Sequence, residues 1–135
     1  MQILEICSCT QLDTHCRPVQ VKTWFSPFDE QIVVWCEITN IIAPTTIRME
    51  WYNPENRRVC TIAIPVEPTN KSRPSRYCWS AVKFALIQSI DGKKYGKWTV
   101  KVIPPGVSHS FTVSDLRLYN KSPFAPGPYI VDIRL

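Results

Sequence analysis

Four side chains that can bind soft metals lie close together near the start of the chain: Cys7, Cys9, His15 and Cys16. Zinc prefers four thiolate or imidazole ligands in a tetrahedral arrangement, so this cluster is a candidate for a small zinc site. Its Cys-x-Cys and His-Cys spacing is unlike the usual zinc motifs, and adjacent residues of an extended chain point apart. A disulfide involving this cluster and free thiols are the alternatives to a metal.

The remaining cysteines are Cys36, Cys60 and Cys78. An even total of six suggests three disulfides if the protein is secreted. Cys36 and Cys60 are in phase with the predicted buried faces of their strands, where cysteine serves as a small hydrophobic residue. One pair of the three would instead bridge two sheets, as in immunoglobulin domains, if the two Cα atoms lie within about 7 Å. Both interpretations remain open from the sequence.

Positive charge is concentrated in the middle of the chain. Residues 1–56 hold three basic and seven acidic side chains, whereas residues 57–101 hold ten basic and two acidic ones. The candidate anion-binding residues are Arg57, Arg58, Lys71, Arg73, Arg76, Lys93, Lys94 and Lys97. If their loops meet at one end of the molecule, they form a patch for polysaccharide, phospholipid headgroups or nucleic acid. The alternative is a set of solvated loop charges that keeps the protein soluble.

The sequence contains no recognisable catalytic apparatus. A side-chain nucleophile needs a base that is itself oriented by a third group, and the chain has only two histidines. Its four glycines are scattered, so no glycine-rich phosphate loop is present. We therefore expect a protein that is not an enzyme and that carries no cofactor.

The elements that position these residues are predicted to be strands. Apolar residues alternate with polar ones in five segments, as they do on a strand with one buried face. These segments are 47–52, 60–64, 98–102, 111–113 and 129–135. Residues 31–38 are apolar on both faces, which predicts a central strand that is covered on both sides.

Three further segments give weaker signals. Residues 19–25 are predicted to form one strand, and residues 3–7 an edge strand. Residues 80–89 contain the only plausible helix, and it is short. Twelve prolines in turn-like stretches separate the strands, because proline is poorly tolerated inside helices and central strands. The pattern predicts an all-β fold: a two-sheet antiparallel, immunoglobulin-like sandwich of about seven to eight strands.

The chain is expected to form a single domain over residues 1–135, since neither a repeat nor a long linker interrupts it. No stretch approaches the roughly 18 apolar residues that indicate a membrane span. The first residues also lack the basic and apolar regions of a signal peptide.

Several aromatic and apolar motifs follow one another along the chain: Arg17-Pro18-Val19, Phe25-Ser26-Pro27, Trp51-Tyr52, Gly96-Lys97-Trp98-Thr99-Val100 and Phe111-Thr112-Val113. Their order resembles that in a family of small bacterial β-sandwich domains of unknown function. The resemblance covers about residues 3–115 and leaves an extra C-terminal strand at about 128–135. It implies an immunoglobulin-like fold and an extracytoplasmic location, and it supplies no functional site.

These observations predict a non-catalytic interaction or structural module in a cell-envelope or extracellular assembly. Its partner is expected to be another protein, or a second copy, bound at an edge strand or a loop end. The strand at 129–135 is one candidate edge. The alternatives are a basic domain that binds an anionic ligand and a small zinc-binding domain.

Overall fold

The computed structural model describes residues 1–106 and 110–120. Most of these residues lie in strands, and a single short helix follows the seventh strand. The strands are β1 (Gln2–Leu12), β2 (Pro18–Val21), β3 (Trp24–Phe25), β4 (Gln31–Thr39), β5 (Thr45–Tyr52), β6 (Arg58–Val66), β7 (Ser75–Lys83), β8 (Gly96–Ile103) and β9 (Phe111–Leu118); the helix is α1 (Phe84–Gln88). For these residues, the prediction of a β-rich fold with at most one short helix is confirmed.

The strands form two sheets. Sheet A has the order β2-β1-β4-β7, and sheet B has the order β3-β9-β8-β5-β6. All the pairings are antiparallel except that of β3 with β9, which is parallel. The two-residue β3 therefore departs from the antiparallel arrangement that the sequence predicted.

One hydrophobic core is built from both sheets. Alternate residues of β4 and β5 bury their side chains in it, and the indoles of Trp51 and Trp98 are among its largest members. The Trp51 indole N–H donates a hydrogen bond of 3.0 Å to the hydroxyl of Ser80, which links sheet B to sheet A through the core. A buried indole N–H needs such a partner, because an unsatisfied donor costs about 1–3 kcal/mol.

Strand β4 is buried on both faces, as its sequence predicts. Ile32, Val34 and Cys36 face the shared core, whereas Val33 and Trp35 belong to a second cluster on the outer face of sheet A. The strand lies between β1 and β7 and pairs with both along most of its length.

Three of the weaker strand and helix predictions need correction. Residues 3–7 belong to an 11-residue strand inside sheet A rather than to an edge strand. Residues 19–25 do not form one strand, because β2 pairs in sheet A and β3 in sheet B. The helix starts only at Phe84, since residues 80–83 complete β7, where alternate side chains are buried.

The predicted strand at 129–135 lies outside the described residues, as does His109, the second of the two histidines. Within the described part of the chain, no helix is long and apolar enough to cross a bilayer.

Candidate functional site

The hairpin that connects β1 and β2 folds over the outer face of sheet A. Leu12 packs in the outer cluster with Val33 and Trp35, and the Trp35 indole N–H donates a 2.8 Å hydrogen bond to the carbonyl oxygen of Cys16. Trp35 is consequently fully buried, although it points away from the main core. Cys16 itself has a positive φ of 61°, which lets the hairpin turn back onto the sheet.

Arg17 completes the hairpin's cover over Trp35 and the outer cluster. Its guanidinium carbon lies 5.6 Å from the centre of the Trp35 ring and 5.5 Å from that of Tyr77. It also donates a 2.8 Å hydrogen bond to the Tyr77 hydroxyl. The outer cluster is thus a small, separate hydrophobic centre under a hairpin lid, with Tyr77 at its border.

A pocket of about 270 Å³ lies between the hairpin tip, the end of β6 and the first half of β7. This β7 pocket is lined by residues that include His15, Arg73, Arg76, Tyr77 and Trp79, and Glu67 is its acidic member. Arg76 is held in place by donating from Nε and Nη2 to the carbonyl oxygen of Pro68, at 3.1 and 2.7 Å. Trp79 remains 38% exposed. The pocket therefore combines a fixed guanidinium group with an accessible aromatic ring.

The four predicted zinc ligands do not assemble into a metal site. Among the described residues, no group of three or more His, Cys, Asp or Glu side chains is arranged to hold a metal ion. Cys7 and Cys9 belong to the outer cluster, whereas His15 is exposed at the hairpin tip. Burial, reinforced by the charges of Cys9 and Glu5, raises the pKa of Cys7 to about 11. This environment disfavours the thiolate that zinc requires.

Two of the other three cysteines meet inside one sheet. Cys36 on β4 lies directly opposite Cys78 on β7, and both are fully buried in the main core. Donation of the Cys36 thiol hydrogen to Cys78 Sγ, together with burial, raises the pKa of Cys36. Cys60 lies on β6 in sheet B and is half-buried. The contact between Cys36 and Cys78 therefore joins neighbouring strands of sheet A and does not bridge the two sheets. All six thiols are free in the structure.

The predicted basic residues fall into two groups. Lys71, Arg73 and Arg76 lie after β6 and at the start of β7, whereas Arg57 and Arg58 lie at the opposite end of β6. Nine strand residues rise by about 26 Å, so the two groups are far apart. The backbone N–H of Lys93 donates to the Glu55 carboxylate at 2.7 Å, which places the loop that carries Lys93 and Lys94 beside the turn before Arg57.

The second group continues onto the outer face of sheet B. Alternation along the strands places five cationic side chains there: Arg48, Arg58, Lys97, Lys101 and Arg117. Lys97 lies directly opposite Arg117, and Lys101 lies opposite Glu50. We call this surface the basic face.

Glu50 is the buried acid of the basic face. Its carboxylate accepts hydrogen bonds from the Tyr52 hydroxyl at 2.8 Å, from Arg48 Nε at 3.2 Å and from Arg58 Nη1 at 3.2 Å. The bond from Tyr52, followed by the positive charges of the two arginines, lowers the pKa of Glu50. The same contact raises the pKa of Tyr52, because the neighbouring carboxylate disfavours a phenolate.

Sequence reasoning missed several members of both surfaces. Arg48, Lys101 and Arg117 lie on strands at alternating positions, which is a detectable signal, but only the cross-strand register brings them together. Trp79 was missed because its strand was assigned in part to a helix.

No protein-family model matches the chain, and no curated protein matches it either. Its function is therefore inferred from the two surfaces.

Proposed function

We propose that this chain is a non-catalytic interaction module with a single immunoglobulin-like sandwich domain, working in a cell-envelope or extracellular assembly. In this proposal, β7 binds an extended, acidic segment of a partner protein, which adds to sheet A as a new strand. The observation that carries the proposal is the combination of a long, regular edge strand with the exposed Trp79 and the adjoining β7 pocket. The resemblance to small bacterial extracytoplasmic domains supports the location.

Among residues 1–106 and 110–120, the two sheets have four edge strands, which differ in how well they are protected. β2 has four residues and begins with Pro18, and β3 has only two residues. β6 has nine residues but includes Pro65, and its pairing with β5 is interrupted next to Tyr52. Short strands, prolines and bulges are the usual means of preventing an edge from pairing with another chain.

β7 lacks these protections. Its nine residues contain no proline and pair with β4 in one uninterrupted register. Within the described residues, β4 is the only strand that pairs with β7. The free side of β7 therefore presents backbone donors and acceptors in the regular pattern that an added strand requires.

The charge at the pocket end of β7 favours an acidic partner. Arg73 and Arg76 lie at this end, near Glu37 and Glu67, whereas Lys83 at the other end lies beside Glu30, whose carbonyl oxygen accepts from the Phe84 N–H. Glu37 already accepts a 2.7 Å hydrogen bond from the Ser75 hydroxyl. An acidic side chain of the added segment would enter the β7 pocket beside the guanidinium groups, where charge-assisted hydrogen bonds are strongest.

Self-association through β7 is disfavoured by the same charges. Directly opposed residues of an antiparallel pair share a face, so two copies centred on Trp79 place Lys83 of each copy opposite Ser75 and next to Arg76 of the other. β7 contains no acidic residue to offset these cations, whose proximity disfavours the pairing. A different, acidic chain is therefore the partner that fits.

The proposal is tested with a random 12-residue peptide library displayed on phage and selected on the full chain. We expect the selected peptides to be acidic and rich in β-branched residues. Bound peptides should slow the amide hydrogen exchange of β7 specifically. A81E should weaken their binding by tenfold or more, because it places a carboxylate in the middle of β7 against an acidic ligand.

The matched control is A63E, which introduces the same side chain at an exposed position on the nine-residue edge strand β6. It should leave binding to β7 unchanged. Equal effects of A81E and A63E, or peptides that protect amides elsewhere, would overturn the proposal. A dimer formed through β7 without peptide would also overturn it, in favour of self-association.

A further inference from the structure

We infer that the basic face is a binding site for a linear anionic polysaccharide. The site is separate from β7, because it lies on the outer face of sheet B. It is built on the three central strands of that sheet, β9, β8 and β5, and on the edge strand β6. The cations are therefore carried on hydrogen-bonded strands and not on loops, so the backbone that bears them needs no ordering when a ligand binds.

The first argument is a pair of like charges on neighbouring strands that does not stabilise the fold. Lys97 and Arg117 are direct cross-strand neighbours and both are exposed. Such a pair destabilises the sheet. A bound sulfate or carboxylate group between the two side chains would relieve this repulsion.

The second argument is the extent of the charge. Lys97 and Lys101 are about 13 Å apart along β8, and the distance across the sheet from β9 to β6 is about 14 Å. Five cations share this area with two acids, the buried Glu50 and Asp115, which lies exposed at the irregularity in β9. Charges spread in two directions match a polymer with repeated anionic groups better than a single small anion.

The third argument concerns the aromatic rings on this face, Tyr52 and Trp24. The Lys101 ammonium lies 4.7 Å from the centre of the Tyr52 ring, and the Lys22 ammonium lies 4.1 Å from that of Trp24. Single-stranded nucleic acids depend on open rings for base stacking, and these rings are already contacted by cations.

Hydroxyl groups are interleaved with the cations instead. Thr99 lies on β8 between Lys97 and Lys101, and Thr112 lies opposite Lys101. Hydroxyl groups both donate and accept hydrogen bonds, as sugar hydroxyls do. Among anionic polymers, these contacts favour a polysaccharide.

The test measures the affinity of the full chain for a size-defined heparin oligosaccharide at several salt concentrations. We expect the affinity to fall steeply with salt and K97E/R117E to weaken it by about tenfold or more. E50Q should strengthen binding, because it removes the opposing charge and releases Arg48 and Arg58. A merely structural role of the cations would not produce this opposite effect.

The matched control compares the single variant K97E with K71E, which makes the same change in net charge at an exposed position beyond the far end of β6. K71E should leave heparin binding nearly unchanged. Equal losses in K97E and K71E, or the absence of salt-dependent binding, would overturn the inference. Tighter binding of duplex DNA, or of phosphatidylglycerol vesicles, with the same sensitivity to K97E/R117E would replace the polysaccharide with that ligand.

Discussion

Glu50 stabilises the fold, and its negative charge opposes the binding of an anion to the basic face that we propose. Its carboxylate is nearly buried on an otherwise basic surface and accepts three side-chain hydrogen bonds. The partners Arg48 and Arg58 are more than half exposed, so each ion pair alone contributes little. The carboxylate contributes to stability because it accepts all three hydrogen bonds at once.

The first prediction at this scale concerns pH. Because the pKa of Glu50 is lower in the folded protein than its ordinary value, the stabilisation is fully present above that value. It is lost as the pH falls through the lowered pKa. E50Q should reduce the free energy of unfolding at neutral pH by about 1 kcal/mol. The difference from wild type should shrink as the pH falls below 4.5, the ordinary value for glutamate, and through the lowered pKa of Glu50.

Urea unfolding at a series of pH values measures this difference. The control is E67Q, which changes an exposed carboxylate just beyond the other end of β6. An E50Q variant that keeps the same separation from wild type at pH 3 as at pH 7 would contradict the assignment.

At the scale of elements, the hairpin lid explains why the sequence predicts β4 correctly but not its surroundings. The apolar residues on both faces of β4 signal double burial, and the structure confirms it. They do not signal what covers the outer face. That cover depends on the Trp35 indole reaching the Cys16 carbonyl and on Arg17 stacking over the rings, contacts between segments well separated in sequence.

The second prediction follows from comparing two tryptophans that face each other on neighbouring strands. Trp35 and Trp79 are register partners, but Trp35 is fully buried under the lid and Trp79 is partly exposed. W35A should destabilise the protein by about 3–5 kcal/mol, as expected for a large-to-small substitution in a packed site. W79A should change the stability by less than about 1 kcal/mol.

Thermal and urea unfolding measure both variants, and amide hydrogen exchange shows where the structure loosens. In W35F, which keeps a ring but loses the bond to Cys16, exchange should accelerate in the hairpin and not in sheet B. Similar losses of stability in W35A and W79A would mean that the lid does not bury Trp35 in solution.

At the scale of the whole molecule, the sequence predicts the class of fold better than its surfaces. The two-residue period identifies most of the strands, because burial of one face imposes it locally. Sheet order is set by long-range pairing, which the local pattern does not contain. In the described residues β1 is internal, although its first residues were predicted to form an edge strand, and β7 is an edge that was not predicted. The same long-range pairing divides the predicted basic patch into two distant groups and adds cations from β5, β8 and β9 to one of them.

The positions of the cysteines determine how the protein responds to an oxidising or a reducing compartment while it folds. Of the six, only Cys36 and Cys78 are register partners. Directly opposite residues of antiparallel strands have Cα atoms about 4.5–5.5 Å apart, within the range that a disulfide spans. Because both residues are fully buried, an oxidant would reach them only before the core closes.

The last prediction is therefore that the redox state is fixed during folding. Refolding with glutathione disulfide should oxidise this pair, with Cys36 and Cys78 losing two hydrogens as two glutathione thiols form. The bridge should raise the free energy of unfolding by about 4 kcal/mol, mainly by restricting the unfolded chain. Adding the same oxidant to the folded protein should leave the pair reduced.

Peptide mapping by mass spectrometry identifies the bridge. C60S is the control that should still form it, and C78S is the variant that should not. A bridge between other cysteines, or rapid oxidation of the pair in the folded protein, would contradict the buried, directly opposed arrangement of these two thiols.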